Sequence, residues 1–250
     1  MDDFDARFGG IARLYTAAGL ERLRRAHVCV VGIGGVGSWA AEALARSAVG
    51  NITLVDLDDV CVSNVNRQLP ALDSVIGQPK VAVMAARIQA INRECQVRAL
   101  AEFFTETTAQ EILQPHYDWV LDAIDQVPNK CLLIASCRQQ EIPLVCAGAA
   151  GGRRDPSAVR LADLSQTTHD ALLQRVRKKL RDDFGFPRET KELFHVPCVF
   201  SPEAAVQPEA GCDLRGGCET AYGTASFVTG TFGFLAASHI VTKIAAGQQA

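Results

Sequence analysis

Three groups of residues in this chain have types and spacings that could do chemistry. The first is Gly32-Ile33-Gly34-Gly35-Val36-Gly37, which follows the β-rich run His27-Val28-Cys29-Val30-Val31 and opens a helix-forming stretch. Gly32, Gly34, Gly35 and Gly37 leave bare backbone there, so a phosphate can approach free helix N–H groups and the positive end of the helix dipole. The second group is Asp56, with Asp58 close behind, at the end of the next β-rich run. From that place a carboxylate grips ribose hydroxyls. Taken alone, these two groups satisfy the pattern of an NAD site.

The third group argues for a different nucleotide. It comprises Ser63-Asn64-Val65-Asn66-Arg67-Gln68, Lys80, and Asp122-Ala123-Ile124-Asp125. Arg67 and Lys80 could hold a triphosphate and the negative charge that develops at its α-phosphorus. A carboxylate in the Asp122–Asp125 turn could hold magnesium between phosphate oxygens. Hydride transfer needs neither feature. Any one of these charges by itself reads equally as a surface salt bridge or a helix cap.

The elements that must position these residues alternate. Strands are expected at 27–31, 51–55, 96–100, 119–121 and 143–146, and helices at 38–48, 80–91 and 129–139, with Pro79 suited to a first turn. Such alternation implies an α/β fold: a Rossmann-like, mostly parallel sheet with helices on both faces, its strand C-termini lining one edge where ligands bind. After Cys146 the pattern changes. A glycine-rich turn leads to an amphipathic helix at 168–181, and the proline-interrupted stretch 187–217 reads as irregular. We expect one domain over 1–250, with a nucleotide-binding core at 5–150 and a less regular extension at 151–250 for substrate or dimer contacts.

Composition narrows the setting. At 250 residues, 48% hydrophobic, 21% charged and a formal charge of −3, the chain is neither a disordered protein nor a globally basic nucleic-acid binder. Nine cysteines are too sparse for a disulfide scaffold, and the acidic start Met1-Asp2-Asp3 has no signal-peptide character. A cytoplasmic protein is expected. Residues 220–242 carry no Asp, Glu, Lys or Arg beyond position 219, but their Thr, Ser and Gly content suits a buried or subunit-interface helix better than a membrane span. Membrane association through 220–242 is the lesser alternative.

Together, the glycine loop, the Asp56/Asp58 pair, the Ser63–Gln68 run, Lys80 and the Asp122–Asp125 turn resemble the ubiquitin-activating-enzyme-like, ThiF-type adenylating family. The resemblance implies Mg2+-ATP binding, attack of a carboxylate on the α-phosphate, and an acyl-adenylate with pyrophosphate released. By motif position, Asp56 would bind ribose, Asn64, Arg67 and Lys80 the phosphates, Gln68 would support that loop, and Asp125 would hold magnesium. Family members that activate ubiquitin-like sulfur carriers usually carry two Cys-x-x-Cys pairs for zinc. None is present here, so no structural zinc is expected.

Further stretches are similar to the branch of the family that dehydrates threonylcarbamoyladenosine in tRNA: Arg7–Tyr15, Val30–Leu44, Asp182-Asp183-Phe184-Gly185, Cys198-Val199-Phe200-Ser201 and Thr231-Phe232-Gly233-Phe234. That likeness implies adenylation of the substrate's threonine carboxylate and cyclisation to the hydantoin-type nucleoside beside the anticodon. It also implies a homodimer and a cysteine desulfurase with its sulfur acceptor as partners. Arg13 is a candidate to enter a neighbouring subunit's phosphate site, and Cys218 a candidate nucleophile or persulfide acceptor.

Arg175, Arg177, Lys178, Lys179 and Arg181 share one helix and could neutralise tRNA phosphates, with Arg153, Arg154 and Arg160 extending the patch. An ordinary solvated helix face is the equal alternative. The rival functions are an adenylating enzyme for a sulfur-carrier protein, a nicotinamide dehydrogenase, and a non-catalytic binding module.

Overall fold

The computed structural model describes residues 3–189, 191–207 and 222–248. Helix α1 (Asp3–Arg25) leads into β1 (His27–Val31), then α2 (Gly37–Arg46), β2 (Asn51–Val55), α3 (Lys80–Ile91) and β3 (Gln96–Leu100). A short α4 (Ala109–Ile112) precedes β4 (Trp119–Asp122), α5 (Val127–Gln139) and β5 (Leu144–Ala147). The remaining elements are β6 (Arg160–Asp163), α6 (Ala171–Asp183), β7 (Pro197–Phe200) and α7 (Ser226–Ala246).

The strands form one seven-stranded sheet in the order β3-β2-β1-β4-β5-β7-β6. Every neighbouring pair is parallel except β6 with β7. Alternate side chains of each central strand enter opposite cores, as the two-residue strand period requires. Val28 and Val30 join α2, α3 and α7 on one face, while Cys29 and Val31 join α5 and α6 on the other. Both faces of the sheet are covered, which explains its near-continuous apolar strands.

The expected strands and helices through β5 lie where the sequence pattern puts them, with ends shifted by up to two residues. One expectation changes. The stretch 187–217, expected to be irregular, supplies β7, which pairs with β5 inside the main sheet. Pro197 sits at the first position of that strand, where a missing N–H is tolerated. The uncharged 220–242 region contributes α7, long and apolar enough to cross a membrane, with 56% of its apolar window buried inside the fold. It is packed by Gly230 and Gly233 against Trp39 and the backbone of α2, and by Ala245 against Gly19 of α1.

β1 runs to one side of the sheet through β2, and β4 lies on its other side, so strand order reverses between β1 and β4. A crevice at the strands' carboxyl ends forms at such a reversal. Val31 is in register with Val55 on one side and Asp122 on the other. Gly32, Asp56 and Ala123 therefore leave the sheet side by side.

Candidate active site

The glycine loop is squeezed between its two neighbours at this edge. Gly32 takes φ +91° and donates its N–H to Val55 O at 2.8 Å. A Cβ there would stand 2.8 Å from Ala123 O, so the close approach of the next turn requires glycine. At Gly37 a Cβ would fall 1.8 Å from Gly32 O, which leaves room only for bare backbone where α2 begins.

Asp56 ties this loop to β2. Its Oδ2 accepts the Ile33 N–H at 2.6 Å and its Oδ1 the Asp58 N–H at 2.8 Å. Burial pushes the Asp56 carboxyl above its ordinary value, although the Lys80 charge and both N–H donors work against the shift. Lys80, in the first turn of α3, is buried along its stem, and its Nζ lies 2.8 Å from Asp58 Oδ2. Asp58 is itself largely exposed, so the buried ammonium is held by a carboxylate that faces solvent.

The Ser63–Gln68 loop is fastened from three sides. Asn64 is buried and its Oδ1 accepts the Cys61 N–H at 3.1 Å. The Arg67 carbonyl accepts Trp39 Nε1–H from α2 at 3.0 Å and Thr229 Oγ1–H from α7 at 3.1 Å. Asn66 Nδ2 donates to Thr224 O at 2.9 Å. The Arg67 guanidinium is half-buried and, among the described residues, bonds near neighbours, Ser63 O at 2.6 Å and Asn66 Oδ1 at 3.1 Å. Gln68 is buried beside Gly34, and its Oε1 has no hydrogen-bond partner among the described residues.

The two carboxylates of the 122–125 turn differ sharply. Asp122 is wholly buried, 2.9 Å from the equally buried Nζ of Lys130. That burial is at odds with the expectation that Asp122 contacts the nucleotide, because taking it to a ligand would strip a buried ammonium of its partner. Asp125 is exposed and has no ion pair or hydrogen bond among the described residues. A free carboxylate beside the glycine loop could hold magnesium, which keeps several waters and takes few protein ligands. Among the described residues no cluster of three metal-ligating side chains forms.

Other expected residues lie outside this group. Arg13 is exposed on α1 and shares none of the hydrogen bonds above. Cys218 and Cys212 fall outside the described residues. On α6, Arg175, Arg177, Lys178 and Arg181 line one groove with Arg188, whereas Lys179 pairs with Asp183 at 2.5 Å away from it. Arg153 is buried, its guanidinium bonded to Gly151 O and His169 O, so it does not extend a surface patch.

Sequence reasoning missed Lys130, Trp39 and Thr229. Lys130 had a signal: it falls on the same helical side as Ile134 and Cys137, a charge on an apolar stripe. For the Trp39 and Thr229 bonds to Arg67 there is none, because three distant segments meet there.

The arrangement is a glycine loop at a helix N-terminus, a buried carboxylate that anchors it, two cations and a free acid on one sheet edge. The ThiF family model matches residues 10–249. The chain belongs to the ThiF family. This match takes in β7 and α7 as well as the glycine loop, so the ThiF fold here includes the segments that hold Arg67. Within the family, the chain is 46% identical to the tRNA threonylcarbamoyladenosine dehydratase of Haemophilus influenzae, over 98% of this chain and 95% of that one. Its fold is similar to the crystal structure of Escherichia coli tRNA N6-threonylcarbamoyladenosine dehydratase, TcdA, in complex with ATP. That likeness has a TM-score of 0.91 at 47% identity and covers 99% of this chain and 97% of the other. The Haemophilus influenzae molybdopterin-synthase adenylyltransferase, at 36% identity, matches only 53% of the chain.

Proposed function

We infer that this protein is an ATP-dependent tRNA threonylcarbamoyladenosine dehydratase. The observation that carries the reading is the full-length likeness to dehydratases, one of them with bound ATP, in a chain whose own Asp56, Arg67, Lys80 and Asp125 collect around an open glycine loop.

The chemistry follows from what those residues can do. The glycine loop would receive the phosphates of ATP on the N–H groups that open α2, and Asp56 would accept the ribose hydroxyls with its remaining lone pairs. Lys80 and Arg67 would stabilise charge at the α-phosphorus as the threonine carboxylate attacks and pyrophosphate leaves. The carbamoyl nitrogen then attacks the activated carbonyl, a proton is lost and AMP departs. The removed water is accounted for by cleavage of ATP to AMP and pyrophosphate. Held on one enzyme, nucleophile and acyl group react as an intramolecular pair. Asp125, together with phosphate oxygens, would hold magnesium, which supplies neutralising charge for the leaving pyrophosphate. Dehydration by this route needs no nucleophilic cysteine.

We place the tRNA backbone on the α6 groove of Arg175, Arg177, Lys178, Arg181 and Arg188, where five cations face one paired carboxylate, Asp182. We place a homodimer contact on the exposed side of α7, where Phe227 and Phe234 are 58% and 49% exposed. The whole chain acts as one unit in this reading, in the cytoplasm where tRNA is modified.

Incubation with Mg2+-ATP and threonylcarbamoyl-modified tRNA, followed by gentle nucleoside mass spectrometry, tests the conclusion. A nucleoside lighter by one water, formed only with ATP, is the expected result. An unchanged nucleoside from folded, ATP-bound enzyme would overturn it in favour of a sulfur-carrier carboxylate.

A further inference from the structure

We propose that Lys130 is a positioning residue of the nucleotide site, its buried ammonium fixing the turn that presents Asp125. The inference deepens the reading above and rests on its assignment of Asp125 to the metal. Lys130 Nζ bonds Ile124 O at 3.0 Å and lies 2.9 Å from Asp122 Oδ2, while Asp122 Oδ1 accepts the Ile124 N–H at 3.0 Å. Both backbone polar groups of Ile124 are thus claimed by one ion pair, and Asp125 is the next residue. The preceding residue is held as well, because Ala123 N–H donates to Val31 O at 2.8 Å. The free carboxylate stands on backbone that has little freedom to rotate.

Stability alone does not account for this pair. Both side chains are 0% exposed, and removing two charges from water costs about as much as their attraction returns, so an apolar pair would serve the core as well. What apolar side chains cannot provide is a donor and an acceptor for the two backbone groups of Ile124. The ammonium is kept charged for that task. Desolvation pushes the Lys130 pKa down, but the adjacent Asp122 carboxylate more than offsets this and holds it above the ordinary value. The same turn abuts the phosphate loop, since Ala123 O faces Gly32. Lys130 thereby fixes the acid beside the glycine loop, while the loop itself is held separately by Asp56.

The experiment is calorimetric titration of the full-length protein with ATP in EDTA and in Mg2+, for wild type, Asp125→Ala and Lys130→Met. Mg2+ should tighten ATP binding to wild type. Lys130→Met should lose about tenfold of that tightening, as outer-shell partners of metal ligands commonly do. Its ATP affinity in EDTA should change less than about twofold, because Asp56, Lys80 and the glycine loop are untouched. A Lys130→Met protein that melts earlier but keeps its Mg2+ tightening would make the lysine merely structural and overturn the proposal.

If Lys130→Met does not fold, the double variant Asp122→Asn, Lys130→Met removes both charges while the amide oxygen introduced at position 122 still accepts the Ile124 N–H. Loss of the Mg2+ tightening there supports the proposal, and retention overturns it. Asp125→Ala separates the two claims. If it loses the tightening and the lysine variants do not, only the positioning role fails; if it keeps the tightening, the assignment of Asp125 fails with it.

Discussion

The Ile33 N–H donates a 2.6 Å hydrogen bond to Asp56 Oδ2, fastening the phosphate loop to the end of the adjacent strand. The other oxygen accepts the Asp58 N–H, so one carboxylate organises two loops. Asp56→Asn puts an NH2 where one N–H donor already points. We expect a loss of about 1–3 kcal/mol in stability from the donor left unpaired, and ATP affinity at least about tenfold weaker. Thermal melting and calorimetric ATP titration measure both. Unchanged affinity would take the ribose role from Asp56.

Arg67 divides its duties between backbone and side chain. Its carbonyl takes the bonds from Trp39 and Thr229, and those survive truncation of the side chain. Arg67→Ala should lower kcat/KM by about a hundredfold, the scale of one lost transition-state donor. The melting temperature should fall by only a few degrees. A large stability loss would assign the guanidinium a structural role instead.

Two glycines with positive φ make a matched pair. At Gly32 a Cβ would meet Ala123 O at 2.8 Å, whereas at Gly77, with φ +82°, nothing lies within 4 Å. Gly77→Ala should cost about 1 kcal/mol, the strain of the left-handed backbone alone. Gly32→Ala adds a backbone clash and should cost more than about 3 kcal/mol, with ATP binding abolished. Denaturant melts of the two variants make the comparison.

Stability should depend on pH through Glu42. Burial pushes its carboxyl up, but hydrogen bonds and charge from Arg87 and Arg46 outweigh that and hold it below the ordinary value. A carboxyl depressed in the folded state stabilises above its unfolded pKa of about 4.3, and that contribution is lost as pH falls through the folded pKa. Glu42→Gln should therefore be about 2 kcal/mol less stable at pH 7, the scale of charge-assisted bonds lost, and the gap should close in acid. Urea melts at pH 7 and at low pH check the sign.

The α6 groove predicts a salt effect. Arg175 is exposed and Arg188 reaches Asp182 only at 3.9 Å, so neither is needed for packing. Arg175→Glu with Arg188→Glu should raise KM for tRNA and reduce the salt slope of binding by about two, one for each lost phosphate contact. ATP affinity should stay as it was. An unchanged slope would move the tRNA to another face.

Local signals in the chain were enough for the parallel sheet, for the strand–loop–helix at Gly32–Gly37 and for the edge on which Asp56, Arg67, Lys80 and Asp125 gather. Hydrophobic periodicity, glycine and strand ends are written within a few residues of each other, and parallel connection then puts all strand ends together. Choosing between Asp122 and Asp125 took the folded chain. The two acids share a residue type and a turn, and what separates them is Lys130, brought beneath one of them by a helix that folds back on the sheet. The same holds for β7, whose register sets Cys198 beside Cys146, and for the grip of Trp39 and Thr229 on Arg67. Burial and long-range pairing depend on what covers a residue, and no local pattern records that.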